Sequence, residues 1–215
     1  MKKTTIFKLT LLTFLTLSVM SVALLFAIPK AILLDRFLSG HGVYIFPNRV
    51  EEGFLSVYLE NLKVFYRNQP LGSFAKTRLS FEPVGLSLSA VCGSGKISAL
   101  LGFRRLRAEF NSADCLKGIG LVSGNLELEG NKLKGTLSVR RFVAKGFKID
   151  AMNLYFKGKS FDGDIEYMGI KLNGGGMLKL NLQNLLASEL SGEFKGSLGS
   201  LLIRGRLNNI TAELK

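Results

Sequence analysis

GNLELEGNKLKGTLSVR, residues Gly124 to Arg140, reads as two strands folded about Gly130-Asn131. A glycine there supplies the positive φ that a two-residue primed turn demands. With the turn so placed, Glu129 faces Lys132 and Glu127 faces Lys134, while Leu128 meets Leu133 and Leu126 lies opposite Gly135. Leu137 and Val139 continue the apolar row. Acidic and basic rows pair on one face and aliphatics line the other, so the stretch predicts a one-sided antiparallel ribbon. The same pattern returns around Gly158-Lys159, which pairs Phe156 with Phe161 and Leu154 with Gly163, with Tyr155 and Asp162 on the other face.

Working outward, the chain from Gly118 onward is a glycine-punctuated series of short alternating runs. These are Leu121–Leu128, Leu133–Val139, Phe142–Ile149, Met152–Phe156, Phe161–Tyr167, Ile170–Leu172, Met177–Leu182, Leu190–Phe194, Leu201–Leu207 and Ile210–Leu214. Asn184–Glu189 alone reads as a helical turn. Gly174-Gly175-Gly176 is a flexible point but no linker, because the alternation resumes in phase beyond it. Upstream, Gly42–Phe46 is a short aromatic and β-branched run that Pro47-Asn48 turns. Leu55, Val57 and Leu59 then alternate with polar residues, and after Asn61 the phase recurs as Leu62, Val64 and Tyr66, giving one strand with a bulge or two strands. A return strand runs from Phe74 to Phe81 and stops at Pro83. Leu86, Leu88 and Ala90, then Ile97–Phe103 and Arg104–Phe110, complete this half. All four Pro lie before residue 84 and most of the 24 Gly lie after residue 117, so composition shifts near residue 115.

A length of 215 residues holds one ordinary domain plus a targeting segment. Hydrophobic content of 47%, 24 Gly and no Trp suit a strand-rich chain better than a helical bundle, where each Gly costs about 1 kcal/mol. The expected fold class is all-β: an N-terminal transmembrane helix followed by a twisted antiparallel meander, built as a roll, a sandwich, a closed barrel or a groove that a lipid or partner fills.

Leu9–Ile28 contains twenty residues without a charge, preceded by Lys2, Lys3 and Lys8 and closed by Pro29-Lys30. That length crosses the roughly 30 Å hydrocarbon core of a bilayer. Positive charge ahead of it places the N-terminus in the cytoplasm and everything after about residue 30 outside. The alternative is a cleaved signal peptide with Ser21-Val22-Ala23 as the cleavage site; against it, the apolar run continues through Leu24, Leu25, Phe26 and Ile28. Pro29 kinks a helix that carries on through Leu34 and Leu38 to Gly40, a natural C-cap. The expected division is residues 1–39 as anchor and helical extension, and residues 40–215 as a periplasmic β-rich domain.

Residues that could carry chemistry are few. Cys92 and Cys115 are the only cysteines, and outside the cytoplasm such a pair is expected as a disulfide, with two buried thiols as the alternative. The single His41 lies between glycines without partner residues. Gly93-Ser94-Gly95-Lys96 resembles the end of a phosphate loop, but Ala90 stands where the first glycine belongs and Ile97 where the magnesium-holding hydroxyl belongs, so it reads as a turn. Asp162 and Asp164 read as solvated strand positions. No catalytic, metal or cofactor constellation emerges. A net charge of +13 suits an anionic surface, and the candidate contacts are Arg104, Arg105 and Arg107, Arg140 and Arg141, and Lys145 and Lys148. No RNA-binding aromatic motif or recognition helix accompanies them, so nucleic acid is not an expected partner.

The anchor is followed by Tyr44-Ile45-Phe46-Pro47, Val50-Glu51-Glu52-Gly53-Phe54, Leu59-Glu60-Asn61-Leu62-Lys63-Val64 and Leu79-Ser80-Phe81-Glu82-Pro83, then by G-x-L-x-L strands. This layout resembles the type II secretion system protein N family, which is similar in turn to the N-terminal parts of AsmA-like proteins. The resemblance covers nearly the whole chain and implies an inner-membrane anchor, a periplasmic β-rich body and a non-enzymatic accessory role among other secretion-system subunits. The alternative it implies is an AsmA-like protein that binds or transfers lipid in an apolar β-groove. Either way no cofactor is implied.

Overall fold

The computed structural model describes residues 13–20, 29–116, 119–144, 147–184, 187–197, 199–206 and 209–214. Most of the expected span Leu9–Ile28 lies outside them; residues 13–20 are helical, and among the described residues no helix is long and apolar enough to cross a membrane. One helix, α1 (Lys30–Gly40), precedes fifteen strands: β1 (Val43–Phe46), β2 (Arg49–Glu52), β3 (Ser56–Tyr66), β4 (Gln69–Glu82), β5 (Gly85–Cys92), β6 (Gly95–Leu101), β7 (Arg105–Ala113), β8 (Leu121–Glu129), β9 (Lys132–Ala144), β10 (Phe147–Gly158), β11 (Ser160–Tyr167), β12 (Ile170–Lys179), β13 (Glu189–Gly196), β14 (Gly199–Arg206) and β15 (Asn209–Leu214). The chain is all-β, a single antiparallel sheet in which each strand from β3 onward pairs with the next. The sheet is not closed. β15 pairs only with β14, and β1 and β2 share the other edge.

The hairpin about Gly130 forms in the register its charges dictate, with Glu129 opposite Lys132, Glu127 opposite Lys134 and Leu128 opposite Leu133. The hairpin about Gly158 pairs Phe156 with Phe161 and Leu154 with Gly163. β12 runs unbroken through the triple glycine, and Leu172 and Leu178 are buried on the same face on either side of it.

Two features differ from the sequence reading. Pro47-Asn48 does not turn the chain: β1 pairs with the far half of β3 and β2 with its near half, in one continuous register. A proline has no N–H to give to a ladder, so the lane is interrupted there, and Asn48 N–H restores it by donating to the Glu60 carbonyl at 2.9 Å. Phe142–Ile149 is not one strand but the end of β9, a connection and the start of β10. Arg141, at φ 60°, lets β9 continue past Val139 while shifting which residues face inward, so Phe142 joins the core beyond Arg140. Asn61 (φ 48°) does the same in β3, where the buried residues step from Val57 and Leu59 to Leu62, and Ser112 (φ 49°) does so in β7. A single left-handed residue rotates the strand by half a pleat, which bends the sheet across its strands.

The bent sheet buries one face in three linked clusters. Val57, Leu59, Leu62 and Leu79 form the first, and Cys92, Ile97, Ala113, Val122 and Val139 the second. The third runs from Ile149 through Phe161, Ile165 and Phe194 to Ile203. Phe74 packs against both the first and the second, and Leu137, Phe142 and Met152 against both the second and the third, so the core is continuous. Curvature also brings distant segments together: Gly72 bridges Leu116, and the Tyr66 hydroxyl donates to Asn184 Oδ1 at 3.4 Å.

Candidate apolar binding site

Helix α1 lies against the concave face of β3–β7. Ala31 and Leu34 pack on the first cluster, but the contact is incomplete and leaves a cavity of about 330 Å³. Its walls are Leu34 and Leu38 from the helix, Val43 and Ile45 from β1, and inward residues of β3 to β7 that include Leu59, Leu88, Ala99 and Leu106. The alternation of these strands makes the wall apolar, since nearly every position facing the helix is aliphatic or aromatic. Leu101 lines the cavity yet is 47% exposed, so the space opens to solvent at the β6–β7 end.

One polar side chain belongs to this wall. Thr77, on β4 between the buried Leu79 and the half-buried Phe74, is only 3% exposed, and its Oγ1 has no hydrogen-bond partner. An unsatisfied buried hydroxyl costs roughly 1–3 kcal/mol, which a ligand with one polar atom at that depth would recover.

The helix is held over the cavity by an acid from the sheet edge. Pro29 at its N-cap position provides no side-chain cap, so the first N–H groups lack partners in the helix. Glu52, the last residue of β2, supplies them: Lys30 N–H donates to Oε2 and Ala31 N–H to Oε1, both at 3.0 Å. The Ala31 hydrogen bond is the main reason the Glu52 carboxyl is held below its ordinary value of 4.5; partial burial opposes this, and the Lys30 N–H and charge add to it. A depressed carboxyl stabilises the fold above its ordinary pKa, and that contribution is lost as pH falls through the lower folded value. Acidifying below about pH 4.5 is therefore expected to lower the protection of the α1 amides, measured against the intrinsic exchange rate at each pH, in the wild type but not in Glu52→Gln, whose helix is already loosened at neutral pH. Equal exchange in both proteins at neutral pH would remove Glu52 from this role.

The remaining candidate residues do not converge on a second site. Arg105 Nε lies 3.0 Å from Glu127 and its guanidinium 3.6 Å from Glu129, and Arg107 lies 3.6 Å from Glu127, so both β7 arginines meet acids of β8. Arg104 instead lies over the Phe103 ring, 5.9 Å from its centroid. Arg140, Arg141 and Lys148 are exposed at the opposite ends of the strands, eight residues along β8 from the Arg105 register, or about 25 Å. Lys145 lies outside the described residues. Cys92 and Cys115 are joined in a disulfide. At the Gly93-Ser94 turn, Ser94 N–H donates to Asp114 Oδ1 at 3.2 Å, so the chain's own carboxylate occupies the place a phosphate would take. Asp162 meets Lys157 at 3.0 Å and Asp164 accepts from Asn153 at 2.7 Å. His41 Nδ1 lies 2.9 Å from the Phe37 carbonyl at the end of α1. Among the described residues no three metal-ligating side chains come together.

Strand patterning points the aliphatic wall inward, but the cavity depends on how α1 sits, which no local pattern in the sequence reports. The one available signal is a threonine two residues before Leu79 on β4, which alternation puts on the same face. The chain is similar to an uncharacterized protein of Aquifex aeolicus (strain VF5), 31% identical over 191 residues that cover 87% of this chain and 85% of that one. No protein-family model matches it, and no solved structure matches it.

Proposed function

This chain belongs to the same family as that Aquifex aeolicus protein, and we propose that it is a non-enzymatic envelope protein that binds an acyl chain between α1 and the concave sheet. The observation that carries this reading is the cavity: apolar on every side except at Thr77, open at one end, and of a size within the roughly 300–1,000 Å³ of small-molecule sites. The Thr77 hydroxyl gives the ligand one polar contact, which suits an ester or carboxyl-bearing lipid better than a bare hydrocarbon. Residues Leu9–Ile28 anchor the protein in the inner membrane with the sheet in the periplasm, a placement supported by the apolar sequence and by a disulfide suited to an oxidising compartment.

Full-length protein purified in detergent and analysed by native mass spectrometry is expected to carry a bound lipid. Ala99→Trp, which fills the cavity from β6, is expected to lower its occupancy at least about tenfold, since an occupied site cannot also hold a chain. Lipid-free wild-type protein, or equal occupancy in the variant, would sink this reading.

A second reading, an accessory subunit of the type II secretion apparatus, draws on the sequence resemblance and on the open edges at β1–β2 and β15, which can accept a strand from a partner. Co-purification with inner-membrane platform proteins of that apparatus tests it, and recovery alone after crosslinking counts against it.

A further inference from the structure

The three most exposed large apolar side chains of residues 43–113, Phe54, Val84 and Phe103, lie at one end of the sheet. In an antiparallel meander alternate turns lie at the same end, and the connections 53–55, 83–84 and 102–104 are neighbours at one end of β3–β7. The Phe81 N–H donates to the Leu55 carbonyl at 2.7 Å, and a Cβ on Gly102 would sit 3.4 Å from the Val84 carbonyl. Phe103, at the tip of the last, is 95% exposed, and Phe54 and Val84 are each 65% exposed. An apolar residue at each of three adjacent tips is a patch that a surface meeting only water would not keep.

Two further features belong to this end. Leu101, where the cavity opens, directly precedes the third connection. Lys30, the first charged residue after the apolar stretch Leu9–Ile28, is tied by its N–H to Glu52 beside the first connection. The carboxylates of this end are already engaged: Glu51 with Arg49 at 2.7 Å, Glu52 with α1, and Glu82 with the Ser87 hydroxyl at 2.6 Å. Arg104, beside Phe103, forms no ion pair among the described residues. An aromatic tip with an adjacent arginine fits the interface between headgroups and acyl chains, where ring and guanidinium each find their own solvent.

We infer that the turn tips carrying Phe54, Val84 and Phe103 dip into the phospholipid bilayer that receives Leu9–Ile28, holding the mouth of the cavity against the lipid. The occupant is a bilayer and not a protein because the apolar segment of the same chain leaves the body at these tips. Residues 13–20 of that segment are helical, with Phe14, Leu15, Leu17, Val19 and Met20 exposed and only the small hydroxyl residues Thr13, Thr16 and Ser18 between them, an uncharged surface that belongs in lipid. The inference rests on the anchoring stated above and reaches beyond it, from a tether to an orientation.

The chain has no Trp, so a single introduced Trp reports one place. Full-length Phe103→Trp and, as a second probe, Val84→Trp are reconstituted in vesicles of phosphatidylethanolamine and phosphatidylglycerol, with and without phospholipid brominated along its acyl chains. Met168→Trp, on a 75% exposed turn at the opposite ends of the strands, is the reference. The expected result is blue-shifted emission and at least about twofold quenching for the first two, with the reference unquenched. Water-like, unquenched emission from both tip probes overturns the inference. So does a blue shift without quenching, which would mean that protein covers the tips, or equal quenching of all three. Unquenched tips in protein that still carries a bound lipid sink the docking alone; quenched tips in lipid-free protein sink the cavity reading alone.

Discussion

Phe161→Ala is expected to cost about 3–5 kcal/mol, a large part of the 5–15 kcal/mol that typically holds a domain folded. The reason lies in what surrounds the ring. Phe161, 2% exposed, stands between Phe156 and Phe194, with ring centroids 6.0 and 6.3 Å away. Across the neighbouring strands it meets Gly176 of β12 and, beyond that, Gly192 of β13. A Cβ on Gly176 would come within 2.8 Å of the ring edge, and one on Gly192 within 3.0 Å. The two glycines make the bed on which the ring lies, and they have no side chains that could move into the space the ring leaves. A hole that cannot collapse keeps its full cavity penalty, so the loss belongs at the upper end of the aromatic-to-alanine range. Phe161→Leu should recover more than half of it. Urea midpoints of the three proteins at a shared slope measure this, and a loss below about 1 kcal/mol for the alanine variant would mean that the third cluster does not depend on the ring.

The same pair of residues shows what local reading can reach. A glycine turn and an alternating pattern place Phe161 opposite Phe156, because register in a tight hairpin is set by the turn and enforced by one buried face. The charge rows of the Gly130 hairpin follow for the same reason. The pairing of Arg105 and Arg107 follows the same logic: an R-x-R on β7 and an E-x-E on β8 share a face, and pairing Arg105 with Glu129 satisfies both. Backbone geometry that side-chain type barely controls is not legible in this way. Asn61 at positive φ is unsurprising, but Ser112 and Arg141 have no intrinsic preference for that region, and tertiary packing puts them there. Those bends decide the curvature, the curvature decides how closely α1 approaches, and the approach leaves the cavity. A proline at position 47 signals an interruption as readily as a reversal, and only the partner strand distinguishes the two.

Removing the disulfide, by Cys92→Ala with Cys115→Ala or by reduction, should lower stability by about 3 kcal/mol. A closed loop with a sequence separation of 23 restricts the unfolded chain by that much in the chain-entropy account. The native side of the argument concerns position. Cys92 ends β5 fully buried in the second cluster, the cluster that joins the other two, while Cys115 lies beyond β7 where the chain leaves the sheet. The Cys115 N–H donates to Cys92 Sγ at 3.2 Å, Asp114 accepts from Ser94 N–H, and Leu116 bridges Gly72 on β4. The bond therefore pins residues 114–116 under the extension formed by β1 and the far ends of β3 and β4, and the bend at Ser112 is held from beyond. Alanine at both positions avoids burying a new polar group, so the variant isolates the lost link. Hydrogen exchange should rise first in residues 111–116 and at the Gly93-Ser94 turn, with the amides of β11–β14 changing little until global unfolding. A urea midpoint unchanged by both reduction and the double substitution would show that packing around Ala113 and Val122 alone keeps the middle cluster together.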